Sequence, residues 1–162
     1  MLTFNASLVE HFKRLLAYDQ WAMDLLLKDV EALPTPDPPA LGRISHILFA
    51  EDVWLTRLQG EDHSKFTTPW PDRSTAECRE KLSELGKRWS AYLNHLGDAD
   101  FGKIISYQNT KGQPYQAPVG GILTQVFDHS TYHRGQIATA IKKAGGEPHS
   151  QGFYGFLLEN MK

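Results

Sequence analysis

VGGILTQVFDHSTYHRGQIATAIKKAGG, residues 119–146, decides the fold class. Ile122, Val126, Ile137 and Ile141 recur at helical spacing, and His129 and His133 continue the same stripe. The segment starts behind Pro118 and ends with Lys142 and Lys143 ahead of Gly145-Gly146. That ending suits a helix C-terminus, because cations match the negative end of the helix dipole and glycine tolerates the left-handed backbone of a cap. The stretch is therefore one long amphipathic helix whose apolar face needs partners.

The partners lie upstream. Leu8, Phe12, Leu15, Leu16, Ala22, Met23, Leu26 and Leu27 keep helical spacing from Ser7 to Val30, with Ser7 and Glu10 placed as a capping box. Pro34, Pro36, Pro38 and Pro39 end that helix, and Asp37-Pro38 suits the N-cap and first position of a second helix running to Gly60. A loop with Pro69, Trp70 and Pro71 precedes a third helix, opened by the capping box Ser74-Thr75-Ala76-Glu77 and directed toward Leu96. Residues 103–117 change character: β-branched and aromatic residues flank Asn109-Thr110-Lys111-Gly112, which reads as a β-hairpin. A short helix is expected from Phe153. The expected fold is all-α: a four-helix bundle, antiparallel or with a crossover, carrying a small β-hairpin before the fourth long helix and a short C-terminal helix.

At 162 residues the chain is expected to form a single domain, 1–162, large enough to bury about 70% of its unfolded surface without disulfides. Seventeen Lys and Arg against 19 Asp and Glu leave a net charge of −2, with no basic run of the kind that tracks a phosphate backbone, so nucleic acid is not an expected partner. Met1-Leu2-Thr3-Phe4-Asn5 has no basic segment followed by an apolar one, and no apolar stretch approaches a membrane span. A cytoplasmic location and no membrane partner are expected. Cys78, the single cysteine, cannot form an internal disulfide, which fits a reducing compartment.

His129 and His133 are four residues apart, so their directions on a helix differ by about 40° and both rings can face one metal ion. Taken alone, the pair reads more plainly as two core histidines satisfied by hydrogen bonds, or as surface residues, because HxxxH is a frequent accident. His46, in ISHILFAEDVWLTRL on the second helix, offers a third nitrogen from a largely apolar sector, although alone it reads as an ordinary helix residue. Together His46, His129 and His133 make a candidate metal site, since three histidines with an open position are what a catalytic divalent ion requires. Zinc suits three neutral imidazoles, with nickel or copper able to compete.

Other residues carry weaker signals. Glu51 projects among Ile44, Ile47, Leu55 and Leu58, away from Asp52 and Thr56; it can support a site or accept a proton, but a surface or interface glutamate is the plainer reading. His11 reads as a hydrogen-bonded core histidine. Asp128 and Arg134 flank the paired histidines and can orient them, pair with each other or face solvent. His63, His95 and His149 read as surface residues, Cys78 as packing, and Trp21, Trp54 and Trp89 as bundle core.

Three strings, YDQWAMDLLL, HILFAEDVWLTRLQGE and DHSTYHRGQIATAIKKAGG, resemble the corresponding segments of the DinB family of bacterial metalloenzymes, in order and across nearly the whole chain. HSTYHRGQ is the most specific of them. The resemblance implies a four-helix bundle holding zinc or nickel at His46, His129 and His133, and it implies a homodimer. It also implies chemistry like that of relatives that are thiol-dependent S-transferases or isomerases using bacillithiol or mycothiol. Tyr132 departs from the family pattern where a histidine is common, and Asp19 and Met23 stand where asparagines are often found. The leading expectation is a metal-dependent transferase acting on a small-molecule substrate, with a low-molecular-weight thiol as cosubstrate. A metal-dependent hydrolase, with Glu51 as base, and a non-catalytic metal-binding stress protein are the alternatives.

Overall fold

A computed structural model of the chain describes residues 7–35, 38–109 and 111–160. Helices α1 (Leu8–Glu31), α2 (Pro38–Leu58), α3 (Thr75–Asn94) and α4 (Val119–Lys143) form the bundle, and α5 (Phe153–Asn160) follows it. Their limits have local causes. The Ser7 hydroxyl accepts from the Glu10 amide at the head of α1, and Ser74 and Glu77 complete a reciprocal capping box at α3. Gly145 adopts φ +86° just beyond α4, which lets the Gly146 amide bond back to the Ile141 carbonyl at 3.0 Å. The expected N-cap Asp37 lies outside the described residues.

Helices α1 and α2 each pack against both α3 and α4, so the order around the bundle is α1, α3, α2, α4, with α1 and α2 meeting across the diagonal. Met23, Leu26, Ile44, Leu55, Leu85, Leu123 and Ile137 interlock in one core in which all seven are fully buried. The bundle surrounds α2 closely enough that Glu51, Asp52 and Thr56 are all buried, although Glu51 projects to a different side from the other two. Asp52 meets Arg88 and Lys81 of α3, which hold its carboxyl below the usual carboxylate range despite burial.

Strands β1 (Ile104–Gln108) and β2 (Pro114–Pro118) pair antiparallel, with Tyr107 opposite Tyr115. The Asn109 side-chain oxygen accepts from the Lys111 and Gln113 amides, and Gly112 takes φ +75°, closing the turn as the sequence suggests; Thr110 within it lies outside the described residues. A short 3-10 helix, Asp98–Gly102, was not expected; it seats Phe101 against Phe12 with ring centroids 5.2 Å apart. Of the three tryptophans assigned to the bundle core, Trp89 is fully buried. Trp54 turns toward Tyr107 of the hairpin, and Trp21 donates to Glu159 of α5. No helix among the described residues is long and apolar enough to cross a membrane.

Candidate metal centre

The contact between α2 and α4 brings His46, His129 and His133 together, with their ligand nitrogens all within 4.8 Å of one another. His46 Nδ1 lies 2.7 Å from the Pro69 carbonyl. A carbonyl only accepts, so Nδ1 carries the proton and Nε2 keeps its lone pair. His133 Nδ1 lies 2.9 Å from Gln136 Oε1, an oxygen that also accepts from Arg43 Nε at 3.3 Å. His133 Nε2 is thereby left as a second acceptor. Partners behind the rings thus fix the tautomers in the way metal-binding histidines require.

His46 Nε2 and His129 Nε2 are 3.2 Å apart. Two nitrogens at about 2.0–2.1 Å from a tetrahedral zinc ion are separated by about 3.3–3.4 Å, so this spacing fits a shared ion. A hydrogen bond from His129 to His46 accounts for the same distance, but the lone pair of His133 is then left over, since two acceptors cannot bond each other. Burial, followed by His133 and His46, pushes His129 down to about 4; burial also pulls His46 below its ordinary value. Both rings are therefore poised neutral, the form that ligates.

The loop after α2 roofs the site. Trp70 stacks on His46 with centroids 4.0 Å apart and planes 10° apart, and stands edge-on to His133. Ser45 donates to the Pro71 carbonyl at 2.6 Å, while Arg73 donates to both the carbonyl and the hydroxyl of Ser45 at 3.0 Å, pinning the loop to α2. Trp70 is 52% exposed and Tyr132, edge-on to His133, is 65% exposed, so the open side is aromatic. Trp70, Pro69 and Gln136 were not singled out as site residues from the sequence. A tryptophan between two prolines, in a loop that gives it no core to join, was the available signal.

A second polar cluster lies inside the bundle. Asp19 Oδ1 accepts from Ser130 at 2.6 Å and from Arg134, whose other Nη donates to Thr131 at 3.0 Å and whose guanidinium carbon sits 4.8 Å over the Tyr18 ring. Arg134 therefore pairs with Asp19 and not with Asp128, which is exposed. Glu51 is buried beside this pair, contrary to the surface reading, and burial together with the Asp19 charge pushes its carboxyl well above the usual range. His11 is exposed instead of core. Cys78 is fully buried and desolvation raises its thiol to about 11, so the helix dipole does not activate it. Of the three histidines read as surface residues, His95 and His149 are exposed and His63 is half-buried; the rings of His95, His63 and His149 are bonded to the Ala91 carbonyl, the Gln108 carbonyl and the Asp29 carboxylate respectively.

The model of the DinB family matches residues 1–161. This chain belongs to the DinB family. It is 24% identical over 165 residues to the Protein DinB of Bacillus subtilis (strain 168), an alignment covering 92% of this chain and 96% of that protein. Its fold matches the crystal structure of a DinB-like protein from Bacillus cereus ATCC 10987 with a TM-score of 0.59 and 20% identity, over 87% of this chain and 93% of the other. Family membership and the three-histidine cluster together fit a metal-binding protein.

Proposed function

We propose that this DinB-family protein is a metal-dependent enzyme of thiol-transfer type, with His46, His129 and His133 as its ligands. The observation that carries the reading is the pair of fixed tautomers: Pro69 and Gln136 each take an Nδ1 proton, leaving Nε2 lone pairs of His46 and His133 in a group with His129. A divalent ion held by His46, His129 and His133 would supply Lewis acidity, which would favour the thiolate form of a low-molecular-weight thiol near neutral pH. Three protein ligands, with no fourth His, Cys, Asp or Glu grouped with them among the described residues, suit a catalytic site better than a closed structural one. Trp70 and Tyr132 offer apolar surface to the electrophile, and the loop behind Trp70 keeps bulk water from one side of the rings.

The thiol comes from outside the protein. Cys78 is buried with a raised pKa and belongs to the core packing of α3, so it supplies no nucleophile. Hydrolysis with Glu51 as base is disfavoured because both its carboxyl oxygens are sealed from solvent beside Asp19. Elemental analysis of freshly purified protein is expected to find about one zinc or nickel per chain, and His46→Ala, His129→Ala and His133→Ala each to lose it. Activity screens are expected to require both metal and an added low-molecular-weight thiol, with Cys78→Ala active and His129→Ala inactive. Full metal in all three alanine variants rejects the ligand set, and turnover without thiol rejects the transfer chemistry.

A further inference from the structure

Arg57, in the last turn of α2, is a buried cation without a carboxylate. It is 9% exposed, its guanidinium carbon lies 4.8 Å over the Trp54 ring and 4.9 Å over the Tyr107 ring, and Nη2 donates to the Gln108 carbonyl at 3.0 Å. Its Nε is buried with no hydrogen-bond partner, and no Asp or Glu among the described residues lies within ion-pair distance. Arg79, Arg88 and Arg134 each meet a carboxylate. A guanidinium taken out of water without a counter-charge is costly, and two aromatic faces and one carbonyl offset only part of that cost. A buried polar group left unsatisfied in this way calls for a further partner, and for a cation an anion is the strongest one.

The same side chain lines a cleft of about 840 Å³ between the end of α2 and the hairpin, together with Glu61, His63, Ser106, Tyr107 and Tyr115. We propose that this cleft binds a small organic monocarboxylate with a flat, unsaturated body. The planar fork of arginine matches a carboxylate in two parallel hydrogen bonds. Tyr107 and Tyr115, both on the cleft lining, stack across the hairpin with planes 19° apart, and Tyr115 is 48% exposed, which leaves aromatic surface for a flat ligand. Glu61 on the lining adds a negative charge that opposes any anion, and a phosphate dianion or a dicarboxylate more than a single carboxylate. The site is separate from the histidine cluster. Arg57 follows His46 by eleven residues on α2, about 16 Å along the axis, and Phe49 on the intervening turn packs edge-on against Phe66. The proposal does not rest on the metal reading.

Calorimetric titration of the full chain with benzoate, benzamide and inorganic phosphate tests it. Benzoate is expected to saturate one site per chain with millimolar affinity, the range open to so small a molecule. Benzamide and phosphate are expected to bind at least about tenfold more weakly, as is benzoate to Arg57→Gln and Arg57→Lys, since each change removes a charge or the fork. Tyr115→Ala is expected to weaken benzoate several-fold, and neither chelation nor His129→Ala to alter it. Absence of saturation, tighter binding of phosphate, or equal affinity in a folded Arg57→Gln overturns the site, as does loss of benzoate binding in His129→Ala, which would put the carboxylate at the histidines. Should the Arg57 variants fail to fold by circular dichroism, undiminished affinity in Tyr115→Ala overturns it.

Discussion

The Glu51 carboxyl is closed off from solvent against Asp19 Oδ2, which is buried as well, and a proton on Glu51 is what lets the two carboxyl groups hydrogen-bond to each other. Two adjoining carboxylates cannot both ionise cheaply, and Arg134 already neutralises Asp19, so Glu51 is the one that keeps its proton. The consequence for stability has a definite sign. A folded-state pKa raised above the unfolded value stabilises the protein fully below about pH 4.5 and loses that contribution as pH rises through the raised pKa. Within that window wild type loses about 1.4 kcal/mol per pH unit from this group alone. Glu51→Gln, which keeps the shape and a donor but cannot ionise, is expected to escape the loss, so its stability advantage grows with pH in urea melts. His129 works the other way, its lowered pKa raising stability between about pH 4 and about 6.5, and it cancels in the difference between wild type and variant. A difference that is flat from pH 4 to pH 9 would show that Glu51 ionises normally.

At the scale of elements, the loop between α2 and α3 matters to the site as much as the helices do. Arg73 holds Ser45, Ser45 holds Pro71, and Pro69 two residues earlier accepts the His46 proton. Arg73→Met is expected to cost about 1–2 kcal/mol from the lost hydrogen bonds and to weaken metal binding about tenfold by freeing the His46 ring, as removal of a partner behind a ligand does. Competition with a chromophoric chelator measures the affinity; an unchanged value would mean that Pro69 keeps its place without Arg73. This loop was the part least legible in the sequence. Helix limits at Ser7, Ser74 and Gly145 followed from residues that act within a turn, and the His129–His133 stripe from the period of one helix. Trp70 over His46, Arg134 on Asp19 and the burial of Glu51 depend on which helices become neighbours, and periodicity carries no information about that. Helical projection places Glu51 among apolar residues, as the structure does, but an isolated acid is rarely buried and so reads as a surface residue; the Arg134 that sits beside it, paired with Asp19, lies more than 80 residues downstream.

Across the whole molecule, the site sits on one pair of helices within a core that spans all four. Residues from α1, α2, α3 and α4 join one buried cluster, and the α1–α3 contact is made between helices that carry none of the three histidines. Were an ion held at the three histidines, its removal would delete an attachment between α2 and α4 at one level of the bundle, while the burial of Ile44, Ile47, Leu123, Val126 and Ile137 rests on contacts the ion does not make. Small zinc domains behave differently because they have little other core, so metal binding and folding are one event there. Here chelation is expected to lower the melting temperature while helical circular dichroism at room temperature stays intact. Stabilisation by a bound ion follows its concentration over its dissociation constant, about 2.7 kcal/mol at a hundredfold excess, which for a chain of this size is several degrees. The shift should vanish in His129→Ala, whose melting temperature should be indifferent to added zinc. A chelated wild-type protein without helical signal at room temperature would place the three histidines among the groups that hold the bundle together.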